Sequence, residues 1–249
     1  MDGGAAARIA RMAAPEPGAR VVEIGAGTGA LTRALLDCGA DVTAFDVDPQ
    51  MVEILRGRPD LAVATIDQAD ALAFDFAGWA GSAPWVAAGN LPYNIATPLM
   101  LALADLPKPP ERVVAMIQRD VADRLTAKPG TAGYGSLTVA IGLRMHVERA
   151  FSVAPAQFYP RPKVNSAVVV MRPYAVPPVA VRDPAHFERV VRGAFAYRRK
   201  TVANALSLSL AVPRERITDA LGTLQLSPEI RGEDLDLATF AALADALAG

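Results

Sequence analysis

The chain has 249 residues, enough for one substantial α/β domain and a smaller second one. Hydrophobic residues make up 52% of it, many of them alanine; with no run of about 18 strongly apolar residues and no signal-peptide pattern, a cytoplasmic protein without a membrane partner is expected. Its single cysteine, Cys38, excludes an internal disulfide and reads as a buried packing residue.

The net charge of −1 hides an uneven distribution. Residues 1–80 hold six Lys/Arg against twelve Asp/Glu, whereas Arg182 to Arg216 holds eight basic against three acidic residues. Such asymmetry is a cue for a polyanionic partner.

In chain order, short apolar β-type runs at Arg20 to Ile24, Val42 to Phe45, Leu61 to Ile66, Trp85 to Ala88 and Val113 to Ile117 alternate with helical patterns. That rhythm predicts an α/β fold, a mostly parallel sheet with helices on both faces. Leu137 to Met145 and Ser166 to Met171 read as an antiparallel pair closing the sheet, with a proline-rich loop between them. The stretch from Gln118 to Gly135 carries Arg119, Arg124 and Lys128 beside a Pro-Gly-Thr-Ala-Gly segment and reads as a flexible, solvated connection. Pro173 to Pro184 reads as a linker; beyond it, Phe187, Val190, Val191, Ala194 and Phe195 recur at helical spacing, and Leu235 to Leu247 forms a last helix. The expected division is therefore 1–175 for an α/β domain and 176–249 for a helical domain.

The first strand runs into Glu23-Ile-Gly25-Ala-Gly27-Thr-Gly29 and then a helix. Glycines there let the backbone turn sharply and approach a ligand. Their G-x-G-x-G spacing differs from the G-x-G-x-x-G that seats a pyrophosphate, so this ligand need not carry a phosphate. Asp46, about 20 residues after the glycines, is placed to accept from ribose hydroxyls, and Asp70, after the third strand, from the amino group of an adenine ring.

The fourth strand ends in Gly89-Asn90-Leu91-Pro92-Tyr93-Asn94. An adenine amine is a weak nucleophile because its lone pair is delocalised into the ring. The Asn90 side-chain oxygen and the Leu91 carbonyl, accepting both amine hydrogens, would localise that pair and aim it, while Tyr93 stacks on the base. Between the last two strands, Phe158 could supply a second aromatic face, and Lys163 lies near phosphate. The basic helix around Arg192, Arg198, Arg199 and Lys200 suits RNA phosphates. His146 and His186 lie outside every motif, so chemistry without a metal is expected.

Together these segments resemble the KsgA-type ribosomal RNA adenine dimethyltransferases, relatives of the erythromycin-resistance methylases and the mitochondrial transcription factor B proteins. The likeness runs from Val21 to about Leu210 and rests on VVEIGAGTGALT, FDVDPQM, GNLPYNIATPL, QRDVADRLTAKPGTAGYGSLTV, FYPRPKVNSAV and FERVVRGAFAYRRKTVANAL. It implies a class I methyltransferase (Rossmann-like) fold, with a seven-stranded mostly parallel sheet and a small α-helical C-terminal domain, which makes 1–175 the methyltransferase domain and 176–249 an RNA-binding domain. It also implies S-adenosyl-L-methionine as methyl donor and dimethylation of two adjacent adenines near the 3′ end of small-subunit (16S) ribosomal RNA, by a monomer.

By position, the resemblance puts Gly25 and Gly27 in the cofactor loop, Asp46 on the ribose, Asp70 on the adenine, Asn90 at both cofactor and target, and Tyr93 and Phe158 around the target base. The family normally has a basic arm and a Gly-Gln-x-Phe-Leu segment before the first helix, where this sequence starts Met1-Asp2-Gly3, so weakened cofactor binding is expected. A non-catalytic ribosome-assembly factor of the same fold, a large-subunit adenine methylase and a small-molecule methyltransferase are the competing readings. The intact Asn90 and Tyr93 oppose the first, the Arg198-Arg199-Lys200 cluster the last.

Overall fold

The computed structural model describes residues 3–155 and 164–248, which fall into two compact units. The first comprises residues up to Ala122 together with Met145–Pro173. It holds α1 (Gly3–Ala13), β1 (Arg20–Ile24), α2 (Ala30–Asp37), β2 (Asp41–Asp46), α3 (Pro49–Arg56), β3 (Thr65–Gln68), α4 (Phe76–Ala80), β4 (Val86–Asn90), α5 (Ala96–Ala104) and β5 (Arg112–Gln118). The chain then leaves through α6 (Arg119–Leu125) and α7 (Ser136–Gly142) and returns as β6 (Met145–Val153) and β7 (Ser166–Pro173).

The seven strands are ordered β3-β2-β1-β4-β5-β7-β6. β1 pairs in parallel with both β2 and β4, which makes the crevice beyond its C-terminal end the place where the winding direction reverses and open α/β sheets bind ligands. β7 runs antiparallel between β5 and β6. Val21, Val22, Val42, Ala44, Ala87, Val114 and Met116 are buried, giving the near-continuous apolar strands of a sheet covered on both faces. Close strand approach is built in at Gly89, where an added Cβ would collide with the Ile24 carbonyl oxygen of the neighbouring strand. Helix α1, which the periodicity reading passed over, buries Ala5, Ala6, Ile9, Ala10 and Ala13 and packs against α2, β4 and β5.

Several expectations are corrected. Residues 137–142 are helical and not a strand: Leu137, Val139 and Ile141 form an apolar run whose short length leaves helix and strand indistinguishable by pattern. The Thr138 hydroxyl settles the matter by accepting from the Gly135 N–H (3.3 Å) and donating to the Arg124 carbonyl (2.6 Å). The strand comes later, in the polar sequence Met145–Val153, which alternates poorly because it lies at the sheet edge, where charged side chains discourage further pairing. The run at Leu61 gives a short 3₁₀ turn (Pro59–Leu61), and β3 starts only at Thr65. Cys38 is half-buried at the end of α2, packed against the core without being sealed in it.

The second unit comprises Asp123–Arg144 and residues from Tyr174 onward, with α8 (Pro184–Ala196), α9 (Val202–Leu210), α10 (Arg214–Thr223) and α11 (Leu237–Leu247). Packing therefore does not follow a single cut at 175/176, because Tyr134 and Val139 join Phe187, Val190, Leu206, Ile217, Phe240 and Leu243 in one core. The Tyr134 hydroxyl donates to the Leu235 carbonyl at 2.7 Å, and burial pushes its pKa up to about 12. Asp183 caps α8 by accepting from the His186 N–H, with Pro184 in the first turn, where its missing N–H costs nothing. Arg198, Arg199 and Lys200 are not on a helix: α8 stops at Ala196, and Thr201 starts α9 by accepting from the Asn204 N–H. The three cations occupy the exposed turn between those helices, and Arg192 is exposed on α8 itself.

Candidate functional site

A cavity of about 270 Å³ opens at the C-terminal ends of the parallel strands. Ile24 and Gly25 come from the end of β1, Phe45, Asp46 and Val47 from β2, Ala69 to Ala71 from beyond β3, and Pro92, Asn94 and Ile95 from beyond β4. Gly25 and Gly27 have φ of 72° and 54°, left-handed conformations in which a side chain is strained. The Gly25 and Ala26 N–H groups donate to the Phe45 carbonyl at 3.0 and 3.1 Å, which folds the loop back over β2.

Asp46 organises that loop as well as facing the cavity. Its Oδ2 accepts from the Gly27 N–H at 2.9 Å and its Oδ1 from the Asp48 N–H at 3.0 Å. Asp48, two residues on, caps α3 by accepting from the Gln50 N–H, with Pro49 in the first turn. The two neighbouring acids are thus separated by role. Asp70 lines the cavity while its Oδ1 accepts from the Leu72 N–H at 2.9 Å. Val47 lines the cavity and is 63% exposed, so an apolar side chain stands at the opening beside Asp46. This pair of acceptors, carboxylates on adjacent strand ends with apolar walls between, suits a nucleoside whose ribose hydroxyls and ring amine donate.

The loop after β4 borders the same cavity. The Leu91 N–H donates to the Met116 carbonyl at 3.0 Å and its side chain is buried, anchoring the backbone, while Asn90, Pro92, Tyr93 and Asn94 are exposed. Among the described residues none hydrogen-bonds the Asn90 side chain, so its amide is available to a ligand. The Tyr93 hydroxyl lies 3.4 Å from Ser166 Oγ on β7, which holds the ring at the edge of the loop. Gly25 closes the arrangement: a Cβ there would lie 3.6 Å from both the Asn90 carbonyl oxygen and Pro92 Cδ, so the glycine loop and the loop after β4 are near neighbours.

Of the sequence-predicted residues, Gly25, Asp46 and Asp70 line the cavity, and Gly27, Asn90, Leu91 and Tyr93 flank it. Asn94 forms the wall where the reading had placed Asn90, and Val47 and Ile95 were missed. Val47 had a signal, a bare valine between two functional acids. Phe158 and Lys163 lie outside the described residues. Arg192, Arg198, Arg199 and Lys200 belong to the second unit.

Glu23 was quoted in the glycine motif without a role. It is 1% exposed on β1, and its Oε2 has no partner among the described residues. Burial pushes its carboxyl up to about 8, Thr32 on α2 offsets part of that, and the nearby Asp46 charge adds to it. The folded protein then keeps a proton that the unfolded chain releases near the ordinary value of 4.5. Stability should be greatest below that value and decline with rising pH up to about 8, by at most about 1.4 kcal/mol per pH unit. Replacing Glu23 with glutamine, which keeps the shape of the neutral acid, should flatten the dependence. Melting temperatures of the two proteins from pH 5 to 9 check this, and parallel curves would show that Glu23 is not the titrating group.

Comparison with known proteins bears on the same features. The model of the family described as ribosomal RNA adenine dimethylase matches residues 2–247. Ribosomal RNA small subunit methyltransferase A of Hahella chejuensis is 43% identical over 98% of this chain and 88% of its own length. The protein of that name from Pseudomonas aeruginosa is 40% identical over 99% of this chain and 91% of its own. Among solved structures, a dimethyladenosine transferase from Plasmodium falciparum is similar with a TM-score of 0.79 and 25% identity, covering 98% of this chain and 95% of that one. The 23S rRNA methyltransferase ErmE is similar with a TM-score of 0.74 and 26% identity, covering 100% and 99%.

Proposed function

Because the chain belongs to the ribosomal RNA adenine dimethylase family, we propose that it methylates N6 of two adjacent adenosines near the 3′ end of small-subunit (16S) ribosomal RNA, giving N6,N6-dimethyladenosine during ribosome biogenesis. The observation that carries this reading is the Asn90-Leu91-Pro92-Tyr93 loop standing beside a cavity lined by Asp46 and Asp70 at the sheet's switch point. S-adenosyl-L-methionine, the family's methyl donor, supplies an electrophilic sulfonium methyl when bound. Asp46 holds the ribose hydroxyls, Asp70 the adenine amine, and the Gly25-Ala26-Gly27 turn, free of side chains at its two left-handed positions, brings backbone close to the ligand.

On the target side, the Asn90 oxygen and the Leu91 carbonyl accept the hydrogens of the amine, which localises its lone pair and turns it toward the cofactor loop. Positioning of this kind converts a bimolecular encounter into an effectively unimolecular one and needs no strong base. After the first transfer one hydrogen remains for a single acceptor, and the new methyl lies in the base plane, where a stacked Tyr93 ring does not reach. Phe158 would supply the opposite face. Arg192, Arg198, Arg199, Lys200 and Lys163 hold RNA phosphates, and the protein works in the cytoplasm as a monomer on the small ribosomal subunit. No helix among the described residues is long and apolar enough to cross a membrane.

Mass spectrometry of digested RNA tests the assignment, after incubation of under-methylated small subunits with the protein and S-adenosylmethionine. N6,N6-dimethyladenosine at two adjacent positions is the expected product. Monomethyladenosine alone, or modification confined to large-subunit RNA, would overturn it.

A further inference from the structure

The segment from Gln118 to Gly135, read from the sequence as a flexible connection, is held at many points. The Lys128 N–H donates to Thr131 Oγ1, which donates back to the Lys128 carbonyl (2.6 Å), and the Gly130 N–H donates to the Glu233 carbonyl (2.7 Å). With the Tyr134 hydroxyl on the Leu235 carbonyl and the Thr138 hydroxyl on the Arg124 carbonyl, the segment from Asp123 onward is folded on itself and fastened to the C-terminal part of its unit at Gly130 and Tyr134. It forms one side of a second cavity, about 420 Å³, whose other side is the end of α8 and the turn at Gly232.

Arg124 and Arg198 both line this cavity, with the Ser136 hydroxyl and Phe195 between segments 74 residues apart in sequence. Phe195 is fixed edge-on against Tyr134 and tilted on Phe240, at centroid distances of 6.0 and 5.7 Å, so this wall is rigid. The acidic side chain in the lining is Glu233, which already faces Arg231 at 4.0 Å. Among the described residues neither Arg124 nor Arg198 has a carboxylate partner. Two arginines that line one cavity and have no carboxylate partner among the described residues are an arrangement suited to an anion with several acceptor oxygens.

We infer that this cavity binds one backbone phosphate of the ribosomal RNA between Arg124 and Arg198, with the attached nucleoside against Phe195. The inference rests on the proposed function and adds Arg124, Ser136 and Phe195 to the RNA contact. Arg198 differs from Arg199 and Lys200 in lining a cavity as well as carrying charge. A phosphate seated there fixes the register of the RNA on the helical unit, whereas cations on an open turn attract any stretch of backbone.

The test measures affinity for under-methylated small subunits at several salt concentrations, with melting temperature and S-adenosylmethionine binding as controls of folding. Arg124→Gln and Arg198→Gln should each weaken binding about tenfold and reduce the salt slope of log K by about 0.7 to 0.9. Sharing one phosphate makes them non-additive, so the double variant should lose little more than either single one. Wild-type affinity and slope in Arg124→Gln would overturn the inference, as would full additivity, which means two separate phosphates. Should Arg124→Gln melt early, Arg124→Lys keeps the charge without the planar fork; a several-fold loss with the slope retained is expected, and unchanged affinity would overturn the inference. Dimethylation by the unsubstituted protein in the same preparation separates the two failures: product formed with an inert Arg124 refutes only the cavity, and absence of product refutes the functional reading.

Discussion

Asn90→Ala is expected to lower the rate of methyl transfer about a thousandfold, the upper range for removing one transition-state hydrogen bond from a pre-organised site. S-adenosylmethionine affinity should stay within about threefold, well under one kcal/mol. The separation follows from geometry. The Asn90 side chain is exposed at the end of β4 and outside the cavity wall, which takes Asn94 instead, so its loss removes an acceptor without opening the cofactor site. The backbone at this point is held independently by the Leu91 N–H on the Met116 carbonyl and by pairing of β4 with β5, so alanine should not unravel the loop. Calorimetry with the cofactor and single-turnover methylation of small subunits give the two numbers. Equal loss in both would make Asn90 a structural residue. Transfer within tenfold of normal would remove it from the chemistry.

The parallel half of the sheet was legible because its strands are buried on both faces: Val21-Val22 and Val113-Val114-Ala115-Met116-Ile117 are apolar without interruption and are bounded by turns. The motif loops were legible for the same reason, since they occupy strand ends where glycine, proline and acid have no place in a core. What was lost lay where local pattern and tertiary setting disagree. Leu137-Thr-Val-Ala-Ile141 has strand-forming side chains and is a helix because Thr138 and its neighbours tie it to Arg124 and the helical core. His146 to Ser152 has helix-compatible charges and is a strand because β7 supplies a paired edge.

The two compact units are discontinuous in sequence for a related reason. Tyr134 is one aromatic residue in a glycine-rich loop, and tertiary contacts, among them the buried bond to Leu235, 101 residues away, show that the loop belongs with the C-terminal helices. Long-range hydrogen bonds of that kind leave no local periodicity. The buried Glu23 is a counter-example that the pattern contained: an acid between Val22 and Ile24 in the apolar run Arg-Val-Val-Glu-Ile signals a carboxyl removed from water, and it is 1% exposed.

Asp46→Asn should reduce S-adenosylmethionine affinity about a hundredfold, close to the effect of Asp46→Ala, although asparagine keeps one acceptor oxygen. A residue that only accepted from ribose hydroxyls would tolerate the change, because an amide oxygen accepts nearly as well as a carboxylate oxygen. Here both carboxylate oxygens are already engaged by backbone, Oδ2 with the Gly27 N–H and Oδ1 with the Asp48 N–H. The amide must turn its NH₂ toward one of those two donors. Facing Gly27, it breaks the bond that restrains a glycine otherwise free to adopt many backbone conformations; facing Asp48, it disturbs the entry to α3. Either way a donor opposes a donor and the loop that contacts the ligand loses its order. Binding is measured by titration calorimetry, with Asp48→Asn as the comparison, since Asp48 caps a helix and does not line the cavity. An Asp46→Asn protein that binds within about fivefold of normal, a difference of only about 1 kcal/mol, would mean the carboxylate serves the ligand alone.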